Sequence, residues 1–238
     1  MAGITAMKKP LAIDLFCGLG GWTEGFLAEG YDVVGFDIER HQYGQHKYPA
    51  QLVLQDVLTL HGSQFQNVAV IVASPPCQAY SYRAMPWTRA KALPPPDNSL
   101  FEACFRIAKE AGVPLVVENV VGAQRWVGRA SWHFGSFYLW GDVPALMPHT
   151  LRTVKVDGFN FHQFAKTGQP GGSFQSASVE ANRREATAIK NVDTFGWSKD
   201  SLLRNNSSKS SSRKAASALI AKIPLELSGH IARCFNPK

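Results

Sequence analysis

The chain has 238 residues, 45% of them hydrophobic, 18% charged, with a formal net charge of +7. That length suits one ordinary domain or one domain with a small appendage, and the composition excludes a disordered chain. No apolar run reaches the roughly 18 residues of a bilayer span, and Met1–Pro10 carries no signal-peptide pattern, so a cytoplasmic location is expected.

Leu11–Phe16 reads as a short buried strand that runs into a glycine-rich turn, Asp14–Gly21. Thr23–Glu29 has helical spacing and stops at Gly30, a typical C-terminal cap. Tyr31–Phe36 is the next strand and ends at Asp37. A helix is predicted over Arg40–Lys47, then a short strand Gln51–Leu54 ending at Gln55-Asp56. Val68–Ala73 is a fourth strand and leads into Ser74-Pro75-Pro76-Cys77-Gln78. Ser99–Ala111 forms a helix stopped by Gly112, and Pro114–Val117 a fifth strand that ends in Glu118-Asn119. Strands alternating with helices at this spacing give a parallel, doubly wound α/β sheet. Beyond Gly122 the pattern weakens; Phe137–Trp140 is one further strand, and Pro224 opens a last helix over Leu225–Cys234.

Cys77 stands on a stiff Pro-Pro turn at the carboxyl edge of a buried strand, where α/β enzymes carry their chemistry. The four cysteines, at 17, 77, 104 and 234, lack CxxC pairing and ligand-spaced histidines, so no metal site or disulfide framework is expected. A glycine-rich turn after a strand lets a ligand approach the backbone closely. By itself it is common to nucleotide, flavin and S-adenosylmethionine sites. Asp37 and Asp56 each end a strand; alone, either reads equally well as a turn or N-cap residue, but together they favour an adenosyl ligand. Between Thr150 and Lys214 eleven Lys and Arg oppose five Asp and Glu, as a surface that meets phosphates would require.

These segments resemble three motifs of one family. Asp14–Gly21 with Gly25-Phe26, Ser74–Gln78, and Glu118-Asn119-Val120 are similar, in order and spacing, to the cofactor, nucleophile and ENV motifs of the DNA cytosine-C5 methyltransferases. The resemblance implies a class I, Rossmann-like methyltransferase fold with a mostly parallel sheet and a reduced recognition lobe. Residues 1–150 would bind cofactor and catalyse, 151–206 would read the target, and 207–238 would return to the catalytic domain. It implies that the Cys77 thiolate adds to C6 of cytosine, Glu118 engages N3, and Asn119 orients the nucleophile loop. The Cys77 pKa would then have to fall from about 8.5, through positive dipoles or cations nearby. S-adenosylmethionine would be held by Phe16, Gly18, Leu19, Gly21, Asp37 (ribose), Ile38, Asp56 (adenine), Val57, Pro76 and Leu100. Gln78, Ser81, Arg83, Arg125, Arg129, Arg183 and Arg184 are the candidate contacts to nucleic acid. The partner implied is double-stranded DNA with its cytosine flipped out, read by a monomer. A tRNA cytosine methyltransferase has the same motifs, and a non-catalytic nucleic-acid-binding relative needs neither Cys77 nor Glu118.

The chain departs from the family where a QxRxR segment is usual: Trp132–Gly141 holds no arginine pair, and Gln124-Arg125 with Arg129 is the nearest substitute. His133 is expected to pack among aromatics rather than act as a base. The stretch Ala216–Pro224 resembles the family's last motif, and compact members ending this way are found in bacteriophages and prophages.

Overall fold

The computed structural model describes residues 9–84, 88–147, 156–157, 172–173, 214, 218–219 and 221–237. In chain order the elements are β1 (Leu11–Leu15), α1 (Gly21–Ala28), β2 (Asp32–Asp37), β3 (Gln42–Tyr43), β4 (His46–Lys47) and β5 (Gln51–Leu54). Then come β6 (Val70–Ala73), α2 (Gln78–Arg83), α3 (Thr88–Lys91), α4 (Ser99–Ala111), β7 (Leu115–Asn119) and α5 (Gln124–Val127). β8 (Trp132–Phe134), β9 (Phe137–Gly141) and a final helix α6 (Leu225–Phe235) complete the main elements.

Seven strands form one sheet in the order β5-β2-β1-β6-β7-β9-β8. The first five are mutually parallel, and β9 runs antiparallel to β7 and β8. The mostly parallel, doubly wound α/β sheet expected from the sequence is the sheet observed. Successive residues of the central strands feed opposite layers, which is why these strands are continuously apolar. Ile13, Ile71 and Val117 pack with α4 residues Cys104 and Ile107, whereas Ala12, Val72 and Val116 pack with Trp22, Phe26, Leu227 and Ile231. The strand order reverses between β1 and β6. Their carboxyl ends therefore open a crevice in which both the glycine-rich turn and the Cys77 loop lie.

The last helix, α6, and the residues just before it pack along α1. Tyr31 Oη donates to the Ala232 carbonyl at 2.9 Å, Lys222 Nζ meets Glu24 at 2.6 Å, and Arg233 pairs with Glu29. Two glycines of α1 make the close approach possible. A Cβ on Gly21 would lie 2.4 Å from the Ile223 amide nitrogen, and one on Gly25 2.0 Å from Ser228 Oγ. Gly25→Ala is accordingly expected to destabilise the protein by about 1–3 kcal/mol through overpacking. The check is a melting temperature several degrees below that of the unsubstituted protein.

Two expectations change. The segment Arg40–Lys47 is not helical: β3 and β4 pair antiparallel, Gln42 with Lys47 and Tyr43 with His46. Gly44, at φ +59°, makes the turn, and Tyr43 packs against Leu19 and Leu219, so tertiary contact overrides local helical spacing. Trp132–Phe134 forms a strand that the sequence reading did not foresee. The last helix begins at Leu225, with Pro224 as its cap. Nearly all of the segment 151–206 lies outside the described residues, including Arg183 and Arg184; within it Val156–Asp157 pairs antiparallel with Gly172–Ser173. No helix among the described residues is long and apolar enough to cross a membrane.

Candidate active site

β1 leaves the sheet through Phe16, the one non-glycine residue with positive φ (+58°) among the described residues. A phenylalanine held there is strained, and such strain concentrates at functional sites. The turn is closed by Gly20 N donating to Cys17 O at 2.7 Å and by Gly18 N donating to Asp37 Oδ2 at 2.9 Å. The Gly18 amide is thus directed to Asp37. Gly21, instead of facing the crevice freely, backs onto Ile223, and Leu19 packs against Leu219 and Tyr43.

Asp37 Oδ1 also accepts from the Ile38 amide at 2.8 Å and faces His41 Nε2 at 3.5 Å. Burial pushes this carboxyl up, but His41 and the amides outweigh it and hold it below the ordinary carboxylate range. The same contact raises His41, despite its partial burial. Ile38 beside it is 74% exposed, an apolar side chain without cover at the rim of the crevice. Asp56 accepts from the Leu58 amide through Oδ1 at 2.9 Å, so one of its oxygens is an N-cap. Val57 is buried behind it, and Leu100 is half-buried at the start of α4.

Sequence reading missed a buried polar cluster beneath the turn. Thr23 Oγ1 donates to Asp14 Oδ2 at 2.6 Å, and Tyr48 Oη lies 2.7 Å from the same Thr23 oxygen. Asp14 Oδ1 has no partner among the described residues, and burial raises the Asp14 pKa to about 7. An acid inside the apolar run Leu11–Phe16 was the available signal, since a buried carboxyl is costly without a role.

On the other side of the crevice, the register Ala73↔Val117 brings Ser74, next on β6, across from Glu118 on β7. Glu118 is 9% exposed, with the Ser74 hydroxyl favouring its charged form. Burial dominates and raises its pKa to about 8, leaving it mainly protonated at neutral pH. Asn119 is buried; its Nδ2 donates to the Pro75 carbonyl at 2.9 Å and its Oδ1 accepts from the Val120 amide. That bond fastens the backbone of the Ser74–Gln78 loop to the end of β7.

Cys77 is half-buried and precedes α2, its carbonyl accepting from the Tyr80 and Ser81 amides at 3.1 and 2.9 Å. Its thiol is raised by burial; a hydrogen bond from Ser81 lowers it and the nearby Glu118 raises it. The expected fall is not what the structure has. Among the described residues no cation contributes to this thiol, so desolvation prevails. Cys17 and Cys104 are fully buried, and Cys234 is exposed on α6.

The arginines divide. Arg83 donates from Nε to Pro94 O and from Nη1 to Ala79 O, both at 2.8 Å, and so braces the loop that contains the three prolines. Arg125 lies over the Trp126 ring at 5.1 Å, and Arg129 is exposed. Gln78 and Pro76 are exposed on either side of Cys77, and the Ser81 hydroxyl favours the charged form of its thiol. His133 stacks on Tyr138 with ring centroids 4.9 Å apart, as its expected packing role requires. Among the described residues no cluster of His, Cys, Asp or Glu could hold a metal ion.

Residues 11–125 match the family model for C-5 cytosine-specific DNA methylase. The chain is 29% identical over 129 residues to the type II methyltransferase M.XorII of Xanthomonas oryzae pv. oryzae, a match over 49% of this chain and 29% of that protein. It is 30% identical over 120 residues to the type II methyltransferase M.DdeI of Desulfomicrobium norvegicum, covering 46% of this chain and 28% of that one. The chain thus spans about three tenths of the length of these relatives. A solved structure, the S. pombe Dnmt2 methyltransferase, superposes at a TM-score of 0.46 and 13% identity, over 95% of this chain and 98% of that one.

Proposed function

We propose that this chain, which over residues 11–125 belongs to the C-5 cytosine-specific DNA methylase family, transfers a methyl group to C5 of cytosine in DNA. The observation that carries the reading is the pairing of Cys77 with a protonated, buried Glu118 at one crevice, on a loop fastened by Asn119. The first-strand side of that crevice fits S-adenosylmethionine. Asp14 Oδ1 is a buried acceptor without a partner, Ile38 is an uncovered apolar wall, and Phe16 is strained toward its position. Asp37 would hold the ribose hydroxyls, the free oxygen of Asp56 the adenine amino group, and Phe16, Ile38, Val57 and Leu100 the ring. Gly18, Leu19, Gly21 and Pro76 would line the remainder. When bound, the cofactor supplies an electrophilic methyl group on a sulfonium sulfur.

Cytosine C5 is a weak nucleophile until C6 is attacked. Cys77 Sγ, having given up its proton, bonds to C6 and breaks the C5–C6 double bond. Glu118 donates its proton to N3 as negative charge develops there, and C5 becomes enamine-like. After methylation at C5, loss of the C5 proton to solvent restores the C5–C6 double bond and expels the Cys77 thiolate, and N3 returns its proton to Glu118. A base stacked in a duplex cannot reach Cys77, so the target is flipped or already unpaired. Arg125, Arg129 and Gln78, all exposed, would meet the nucleic-acid backbone. With Arg83 committed to loop carbonyls, its contribution to phosphate binding is indirect.

The test uses S-adenosylmethionine tritiated in the methyl group, incubated with the full chain and duplex DNA. Label recovered as 5-methylcytosine after digestion to nucleosides is the expected result. Label only on RNA would transfer the proposal to tRNA-type substrates, and label on neither would overturn it.

A further inference from the structure

We propose that Asn98, acting through Tyr80, is a positioning residue for Cys77; the inference rests on the function proposed above. Cys77 lies between two tethers. On its N-terminal side, Asn119 fixes the Pro75 carbonyl. On its C-terminal side stands α2, six residues long, far below the roughly 12 residues an isolated helix needs. Tyr80 is the only buried residue of α2, 3% exposed, and its amide donates to the Cys77 carbonyl at 3.1 Å. Where Tyr80 is held therefore decides where the first turn of α2, and Cys77 with it, can sit. The turn Val121–Ala123 backs closely onto this helix: a Cβ on Gly122 would lie 3.1 Å from the Tyr80 carbonyl oxygen.

Asn98 supplies the polar half of that hold. It occupies the N-cap position of α4, where an asparagine ordinarily accepts from an amide of the first turn, yet its side chain makes no capping bond. Asp97 takes a first-turn amide instead, accepting from Ser99 N at 2.8 Å. The Asn98 amide group reaches sideways. Its Nδ2 donates to the Trp126 carbonyl at 3.3 Å, and its Oδ1 accepts from Tyr80 Oη at 3.0 Å. The donor inventory sets this orientation. The Trp126 carbonyl only accepts, so the amide nitrogen must face it; the remaining Asn98 oxygen only accepts, so Tyr80 must donate. Asn98 thereby ties α2 to α5 across the start of α4. Phenylalanine at position 80 would retain the buried ring and remove the tether alone.

The test needs no turnover. The folded full chain is treated with iodoacetamide, and alkylation of each cysteine is timed by peptide mass spectrometry. The other thiols serve as internal controls: buried Cys17 and Cys104 report general loosening, and exposed Cys234 reports the reagent. Tyr80→Phe and Asn98→Ala should each speed alkylation of half-buried Cys77 about fivefold, the size of one lost hydrogen bond. Rates at the other three cysteines should stay at their wild-type values. Tyr80→Phe should add nothing in the Asn98→Ala background, because the same bond is already gone. In methyl transfer both variants should lose about fivefold in kcat, with KM for the cofactor unmoved. An unmoved Cys77 rate in Tyr80→Phe, a parallel rise at Cys17 and Cys104, or additive effects in the double variant would overturn the tether. Failure of the function itself is separate: a wild-type chain that methylates no DNA would defeat that reading, while the thiol rates still decide whether Asn98 positions Cys77.

Discussion

Cys77→Ala is expected to abolish methyl transfer, lowering kcat by about 10⁴-fold or more, as removal of a covalent nucleophile does. Cofactor binding should survive, because the residues proposed to hold the cofactor, Phe16, Asp37 and Ile38, belong to the β1–β2 half of the crevice. The fold should survive too. Cys77 is half-buried, and its backbone carbonyl, which receives the Tyr80 and Ser81 amides, is untouched by the change. Three measurements check this: rate with tritiated cofactor, cofactor affinity by calorimetry, and melting temperature. A fourth isolates the covalent step. DNA in which the target cytosine carries fluorine at C5 cannot lose that substituent as a proton, so the adduct persists and remains visible by mass spectrometry. Wild type should accumulate it and Cys77→Ala should not. An Ala variant with undiminished methyl transfer would end the proposed mechanism.

Glu118→Gln should cost about 10²- to 10⁴-fold in rate, the usual value of a positioned general acid. Its effect on stability should have the opposite sign and depend on pH. The Glu118 pKa is about 8 in the folded protein against an ordinary 4.5, so between those values the folded state holds a proton that the unfolded chain has released. Folding stability must therefore decline as pH rises through that window. Gln cannot titrate and escapes the decline. Relative to wild type, the variant should gain on the order of a few kcal/mol between pH 5 and pH 9. Denaturant melts at the two pH values decide it; parallel curves would show that Glu118 titrates normally.

The pair also shapes the rate profile. Cys77 is raised above its ordinary value while Glu118 titrates near 8, so the acid loses its proton before the thiol does. The reactive state, thiolate with protonated acid, has one proton between the two groups. Its total population is greatest between the two titrations, and kcat/KM should climb through about pH 8 and fall again where the thiol ionises.

Much of the site was legible in the residues because its chemistry is bound to short local motifs. Cys77 after Pro75-Pro76, Glu118-Asn119 at a strand end, and Asp37 one strand after a glycine-rich turn are each specified within a few positions. The parallel sheet was equally legible, since strands buried on both faces must be apolar throughout. The exceptions lie where distant contacts outweigh local preference. Residues 40–47 turn at Gly44 and pack Tyr43 on Leu219, a partner more than 170 positions away that no local pattern displays.

The sequence by itself determined which groups are present and which strand ends carry them: a thiol, a carboxyl, an amide and the acid Asp37. Only the tertiary structure decided their states. Burial at the sheet edge protonates Glu118 and keeps Cys77 a thiol, cross-strand register sets Ser74 across from Glu118, and one oxygen of the buried Asp14 has no partner among the described residues. Ionisation depends on how much water surrounds a group and on what faces it, and both are properties of residues far apart in the chain.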